Sequence, residues 1–215
     1  RDSSTSRGLG DVYKRQADGT PFAGKVGELY APSRDQEKAK EYLATALSEL
    51  GCTVDELSAH LSIDCGDSAT SIAEASFYQE QWRQVLGIEV TVNSMITKQG
   101  SQNRKTGNYV MSVTGWGPDY NDPNTFLDMW VTDGGNNQTG FSNERYDELI
   151  DLAAKETDLE KRESYFIECE QIIADQLPIG PAFWRAPSYA CSDKIKGGMH
   201  RSTFQDINAV YVKLS

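Results

Sequence analysis

Apolar positions along this chain follow two rhythms, one near 3.6 residues and one of two, and the rhythms alternate from segment to segment. Ser33 opens SRDQ, a capping-box pattern with Gln36 three residues on. Ala39, Tyr42, Leu43, Ala46, Leu47 and Leu50 then recur at helical spacing, and Gly51 supplies a stop. LSAHLSI (57–63) sets Leu57, Ala59, Leu61 and Ile63 against Ser58, His60 and Ser62, which predicts a strand with His60 on its solvated side. Ile72, Ala75, Trp82, Val85 and Leu86 mark a second helix, ended by Gly87, with Trp82 in its core face.

IEVTV (88–92) predicts a second strand. NYVMSVTGW (108–116) predicts a third, and its greater apolar content places it nearer the sheet centre. Asn143 leads a helix with Tyr146, Leu149, Ile150 and Ala153 on one core face. Another follows, carrying Leu159, Tyr165, Phe166, Cys169, Ile172 and Ile173. LPIGPAFW (177–184) is extended and Pro-punctuated, and INAVYVKLS (207–215) closes as a strand. Strands alternating with helices of this length predict an α/β layered fold with crossover connections.

The first sixteen residues, RDSSTSRGLGDVYKRQ, show neither rhythm and are basic in an acidic chain. They are expected to be a leader, tag or sequence artefact, with folded structure beginning near Ala17. The chain's net charge of −11 repels phosphate backbones and anionic lipid, so nucleic acid is not an expected partner. No apolar run approaches the roughly 20 residues that span a bilayer. Cys52, Cys65, Cys169 and Cys191 contain no C-x-x-C spacing, and with only His60 and His200 present they form no zinc set. Cys52 and Cys65 fall near opposite ends of a strand roughly 20 Å long, beyond the ~7 Å Cα separation a disulfide tolerates. Free, mostly buried thiols are expected.

GWGPDYNDPNTFLDMW (115–130) gathers carboxylates, carboxamides and aromatics around a Gly- and Pro-broken turn at the end of the third predicted strand. In open α/β sheets ligands collect at that end of the strands. Gly115 and Gly117 bracket Trp116 and allow close backbone approach. Asp119 and Asp122, three residues apart, have the makings of an acid–base pair, but such pairs in a turn also serve as Asx caps. No G-x-S-x-G occurs. A calcium loop reading fails, because the positions that require Gly and Glu hold Asn124 and Trp130. An ammonium-bearing ligand suits the segment, with charge pairing from Asp119 and a flat face from Trp116. A turn whose Trp is core and whose Asp residues are caps fits the residues equally.

The same segment, followed by GFSNERYDELIDLA (140–153), resembles the peptide- and oligopeptide-binding proteins of ABC importers, the family 5 extracellular solute-binding proteins. AKEYLATALSELG (39–51), EASFYQEQWRQVLGIEVTV (74–92), LPIGPAFW and the closing INAVYVKLS are similar to that family as well, so the resemblance spans about residues 17–215.

It implies a type II periplasmic-binding fold, of which this chain is the C-terminal portion. Residues 17–183 would form an α/β lobe two, and 184–215 a crossover and return segment to lobe one. It implies that Asp119 receives a peptide α-ammonium, that Trp116 lines a side-chain pocket beside Gly115 and Tyr120, and that Arg104, in a loop before the third strand, lies near the ligand. Phe183 or Trp184, with Arg185, would fall at the lobe crossover near the cleft. Where the best-known oligopeptide binders carry an Arg three residues before the Trp, this chain has Val113, which puts their carboxylate-end contacts in doubt.

The implied protein is an extracytoplasmic, periplasmic or lipid-anchored monomer. It uses no cofactor or metal, catalyses nothing, and passes peptides to membrane permease subunits. The alternatives are a nickel complex, haem or an oligosaccharide on the same fold, or a carboxylate-dependent hydrolase. The sequon NQT (137–139) is a chance match in a prokaryotic family.

Overall fold

The computed structural model describes residues 22–27, 29, 35–120, 122–183, 192, 194–196, 200, 201, 207, 208, 213 and 214. In chain order the elements are α1 (Phe22–Val26), α2 (Gln36–Leu50), α3 (Val54–Ser58), β1 (Ser62–Gly66), α4 (Ala69–Leu86), β2 (Thr91–Met95), α5 (Thr97–Thr106) and β3 (Met111–Ser112). There follow α6 (Asn124–Leu127), a 3-10 turn (Asp128–Trp130), α7 (Glu144–Lys155), α8 (Leu159–Gln176), β4 (Ile195–Lys196), β5 (His200–Arg201), β6 (Ile207–Asn208) and β7 (Lys213–Leu214). The chain divides into two units. One comprises residues 33–115 and 138–140; the other comprises residues 1–32, 116–137 and 141–215.

The first unit is a three-stranded parallel sheet of order β2-β1-β3, with Ile63 opposite Val92 and Met111, and Asp64 opposite Asn93 and Ser112. Ile63 and Cys65 point to a core with Ala75, Ile88 and Val90, against which Leu43, Tyr78, Trp82 and Leu86 pack. Asp64 points to the opposite face and is also buried. Its two carboxylate oxygens accept from Asn93 Nδ2 and from Asn103 Nδ2 of α5, both at 3.2 Å. A strand buried on both faces is the expected centre of a parallel sheet.

In the second unit α7 and α8 pair over a larger core of Phe22, Leu127, Met129, Trp130, Tyr146, Leu149, Ile150, Phe166, Cys169 and Ile173. Asn143 caps α7 by accepting from the Tyr146 N–H, and Asp158 caps α8 through the N–H groups of Glu160 and Lys161. Lys25 of α1 donates to the buried Glu163 of α8 at 2.7 Å, which supplies that inward carboxylate with a cationic partner. Antiparallel pairs β4–β7 and β5–β6 complete the described part of this unit.

Several sequence expectations need correction. The alternation at 57–63 is not a strand: Val54–Ser58 is helical, and the strand is Ser62–Gly66. Thr53 and Glu56 form a reciprocal capping box there, which starts a helical turn that a short period-two pattern does not outweigh. His60 is exposed, but in the turn after that helix. The second strand runs from Thr91 to Met95, later than expected.

The third is reduced to Met111–Ser112 and lies at an edge, because β1, buried on both faces, takes the centre. Helix α2 is capped by Asp35, whose side chain accepts from the Lys38 N–H; Ser33 lies outside the described residues. Tyr42, Leu50, Ile72 and Leu159, expected on core faces, are exposed, and Trp82 is only partly buried. Cys52, Cys65 and Cys169 are free thiols, the last two buried; Cys191 lies outside the described residues.

Candidate ligand site

Residues 115–130 contain three Asp and no Lys, Arg or His, so any cation must come from elsewhere. The structure gives the three carboxylates different fates. Asp122 accepts a two-pronged pair from Arg162 of α8, with Nη1 to Oδ2 at 2.7 Å and Nη2 to Oδ1 at 3.0 Å. Its Oδ1 also accepts from the Asn124 N–H at 3.0 Å, at the start of α6. This carboxylate closes an Asx turn and a salt bridge, and its charge is answered within the fold.

Asp128 accepts from Asn124 Nδ2 at 3.2 Å and faces the Tyr120 hydroxyl at 3.4 Å. Burial pushes its carboxyl above the ordinary value; the Tyr120 bond opposes this and the Asp119 charge adds to it. The Tyr120 phenol is also raised, first by burial, with the Asn124 bond opposing and the Asp128 charge adding. Asn124 and Asp128 are spaced by four across α6, so helical geometry brings them together, and Tyr120 reaches both from the loop before the helix.

Asp119 differs from both. Its backbone N–H donates to Thr125 Oγ1 at 3.0 Å, and Thr125 is fully buried. Among the described residues its carboxylate has no hydrogen-bond partner, and the side chain is exposed. Trp116 and Tyr120 on the same segment are each 41% exposed. The arrangement therefore offers one open carboxylate and two aromatic faces on a loop whose far end is anchored, a combination suited to a cation bearing apolar groups.

The other expected residues are distributed as follows. Gly115 is exposed, and a Cβ built on it would meet nothing within 4 Å. Phe183 is 54% exposed. Trp184 and Arg185 lie outside the described residues. Arg104 belongs to the sheet unit and sits on α5, not in a loop. The sequence TKQGSQNRKT (97–106) has no large apolar residue and hence no periodicity to announce a helix. Arg104 donates to Gln138 Oε1 at 3.0 Å and Ser112 Oγ at 3.4 Å, so its recorded partners are uncharged. Gln138 also accepts from the Tyr109 hydroxyl, through its backbone carbonyl.

A concavity of about 440 Å³ lies beside this face of the sheet, lined by Asp64, Asn93, Met95, Asn103 and Tyr109 among others. The carboxylate there is already held by two carboxamides.

Sequence reasoning missed Asp128, Asn124, Thr125 and the Arg162 pair. The four-residue spacing of 124 and 128 was an available signal; the contact of Tyr120 from outside the helix and the partnership of residues 122 and 162 had none.

The bacterial extracellular solute-binding proteins, family 5 Middle, match residues 9–138, beginning inside the sixteen-residue segment expected to lie outside the fold. The chain is 33% identical over 178 residues to the oligopeptide-binding protein OppA of Bacillus subtilis, covering 79% of this chain and 31% of that protein. It is 32% identical over 201 residues to a dipeptide-binding protein of Lactococcus lactis, covering 91% and 36%.

Among solved structures, Listeria monocytogenes OppA bound to peptide superposes with a TM-score of 0.80 at 26% identity, covering 99% of this chain and 40% of that one. The chain thus spans about a third of the length of these relatives. The fold is the α/β, type II periplasmic-binding-protein-like fold of those peptide-binding neighbours. The chain belongs to the bacterial extracellular solute-binding proteins of family 5.

Proposed function

We propose that these residues form part of the extracytoplasmic substrate-binding component of an ABC importer that captures peptides. The observation that carries the reading is the open carboxylate of Asp119 on an anchored loop, beside two carboxylates already engaged. In this reading Asp119 receives the peptide α-ammonium. A charge-assisted hydrogen bond of that type contributes roughly 1.5–3 kcal/mol, enough to set the ligand's register. Trp116 and Tyr120 wall a side-chain pocket, and Gly115 permits close approach of the ligand backbone, which adds like a strand. Arg104, Phe183 and Trp184 are the further candidates for ligand contact.

Residues 17–183 are then mostly lobe two and 184–215 the return to lobe one, and the complete protein closes by hinge motion around its ligand. It works as a monomer, in the periplasm or lipid-anchored at the outer face of the membrane. It delivers peptides to permease subunits and performs no chemistry on them. The names of the relatives, binders of oligopeptides and dipeptides, support peptide over other solutes. Calorimetric titration of the complete protein with a pool of tri- to pentapeptides, free and N-acetylated, tests this. Free peptides bind and acetylation weakens them by at least about tenfold, some 1.4 kcal/mol. Equal binding of both forms removes the ammonium role.

A further inference from the structure

We propose that Arg162 is a positioning residue for ligand binding, a role that rests on the reading of Asp119 just given. Each of its three guanidinium nitrogens has a hydrogen-bond partner. Two nitrogens grip the Asp122 carboxylate, Nε donates to the Ala153 carbonyl in the last turn of α7 at 3.0 Å, and Cζ lies over the ring of buried Phe166, 4.6 Å from its centroid. A planar fork fixed by three hydrogen bonds and a ring has little rotamer freedom left.

From Asp122 the constraint passes along the ligand loop by recorded bonds. Asp122 Oδ1 accepts from the Asn124 N–H, and the Asp122 carbonyl accepts from the Thr125 N–H at 3.2 Å. Thr125 Oγ1 in turn accepts from the Asp119 N–H at 3.0 Å. The backbone that carries the open carboxylate is thereby tied to the α7–α8 pair through Arg162, in addition to the buried Leu127 that anchors the later part of the segment. A misplacement of about 1 Å in such a group weakens a directional hydrogen bond far more than it weakens apolar contact. Arg162 therefore governs discrimination for a free ammonium more than it governs total affinity.

The readout is the ratio of dissociation constants for N-acetylated and free forms of the tightest-binding pool peptide, measured on the complete protein below its unfolding transition. Wild type shows a ratio of at least about ten. Arg162→Met lowers it to within about threefold, and Arg162→Lys, which keeps the charge but loses the fork, falls between. Asp122→Asn, which keeps an acceptor for the Asn124 N–H but loses the charge pair with Arg162, lowers the ratio to within about threefold as well, which loss of packing at residue 162 alone does not do. If Arg162→Met lowers the unfolding midpoint but keeps the full ratio, the residue is structural and the proposal is overturned. Should Arg162→Met not fold, the Arg162→Lys and Asp122→Asn variants decide by the same ratios.

Asp119→Ala separates the two readings. If it leaves the ratio intact, the ammonium site itself is refuted; if it abolishes the ratio while Arg162→Met preserves it, only the positioning role is refuted. Absence of binding by every pool peptide to wild type removes both.

Discussion

The two halves of the segment 115–130 are built on opposite principles. In residues 115–120, Trp116 and Tyr120 present large surfaces to solvent, Gly115 and Gly117 add none of their own, and the Asp119 carboxylate is open. In residues 122–130, Thr125, Phe126, Leu127, Met129 and Trp130 are buried, the Leu127 carbonyl accepts from the buried Tyr146 hydroxyl at 2.6 Å, and Asp122 is locked by Arg162. In the proposed reading, adjacent stretches of one loop thus divide recognition from anchorage. A loop that exposes aromatics loses apolar burial worth some 25 cal/mol per Å², so its geometry must be maintained from elsewhere. Here the second half maintains it.

The largest test of that division is Leu127→Ala. This side chain is fully buried among Phe22, Tyr146, Leu149 and Phe166 in one core. Its truncation is expected to destabilise the complete protein by about 2–5 kcal/mol in urea unfolding, by lost transfer energy and a residual cavity. Trp116→Ala is the mirror experiment. With 41% of the residue exposed, its loss is expected to shift stability by no more than about 0.5 kcal/mol while weakening peptide binding measurably in titration. Comparable stability losses from the two substitutions would erase the distinction between the halves.

Which half was readable from the sequence follows from the same physics. Helices α7 and α8 were legible because Tyr146, Leu149, Ile150, Phe166, Cys169 and Ile173 recur at helical spacing and bury one face. Asp119 and Trp116 were legible through the Gly- and Pro-punctuated segment and its family resemblance. The open state of Asp119 was not legible, because it depends on where Asp122 and Asp128 find partners. Asp122 finds Arg162 forty residues on, a pairing that no local pattern encodes. Helix α5 was invisible for a different reason. It has no apolar stripe and is held by polar bonds such as Asn103 to Asp64. The strand misplaced at 57–63 shows a capping box at Thr53 and Glu56 prevailing over a brief alternation.

The smallest expected effect concerns pH. Burial, opposed by Tyr120 and reinforced by Asp119, holds the Asp128 carboxyl above its ordinary value of 3.8 in the folded protein. The native state then binds more protons at this position than the unfolded chain does. Its contribution to stability is therefore greatest below 3.8 and declines as pH rises through the folded value. Asp128→Asn is expected to flatten that part of the stability-against-pH curve, followed by thermal midpoints from about pH 3 upward. A curve of unchanged slope would place Asp128 in a more solvated setting than its bonds to Tyr120 and Asn124 imply.

In the proposed reading, Asp119 alone among the three carboxylates is reserved for a ligand's ammonium. A cycle pairing Asp119→Asn with N-acetylation of the peptide, titrated on the complete protein, tests it most directly. Acetylation is expected to cost at least about tenfold in affinity in the wild-type protein and little or nothing in the Asp119→Asn variant, a coupling of about 1.4 kcal/mol. An equal acetylation penalty in both proteins would contradict it and return Asp119 to the role of a turn residue.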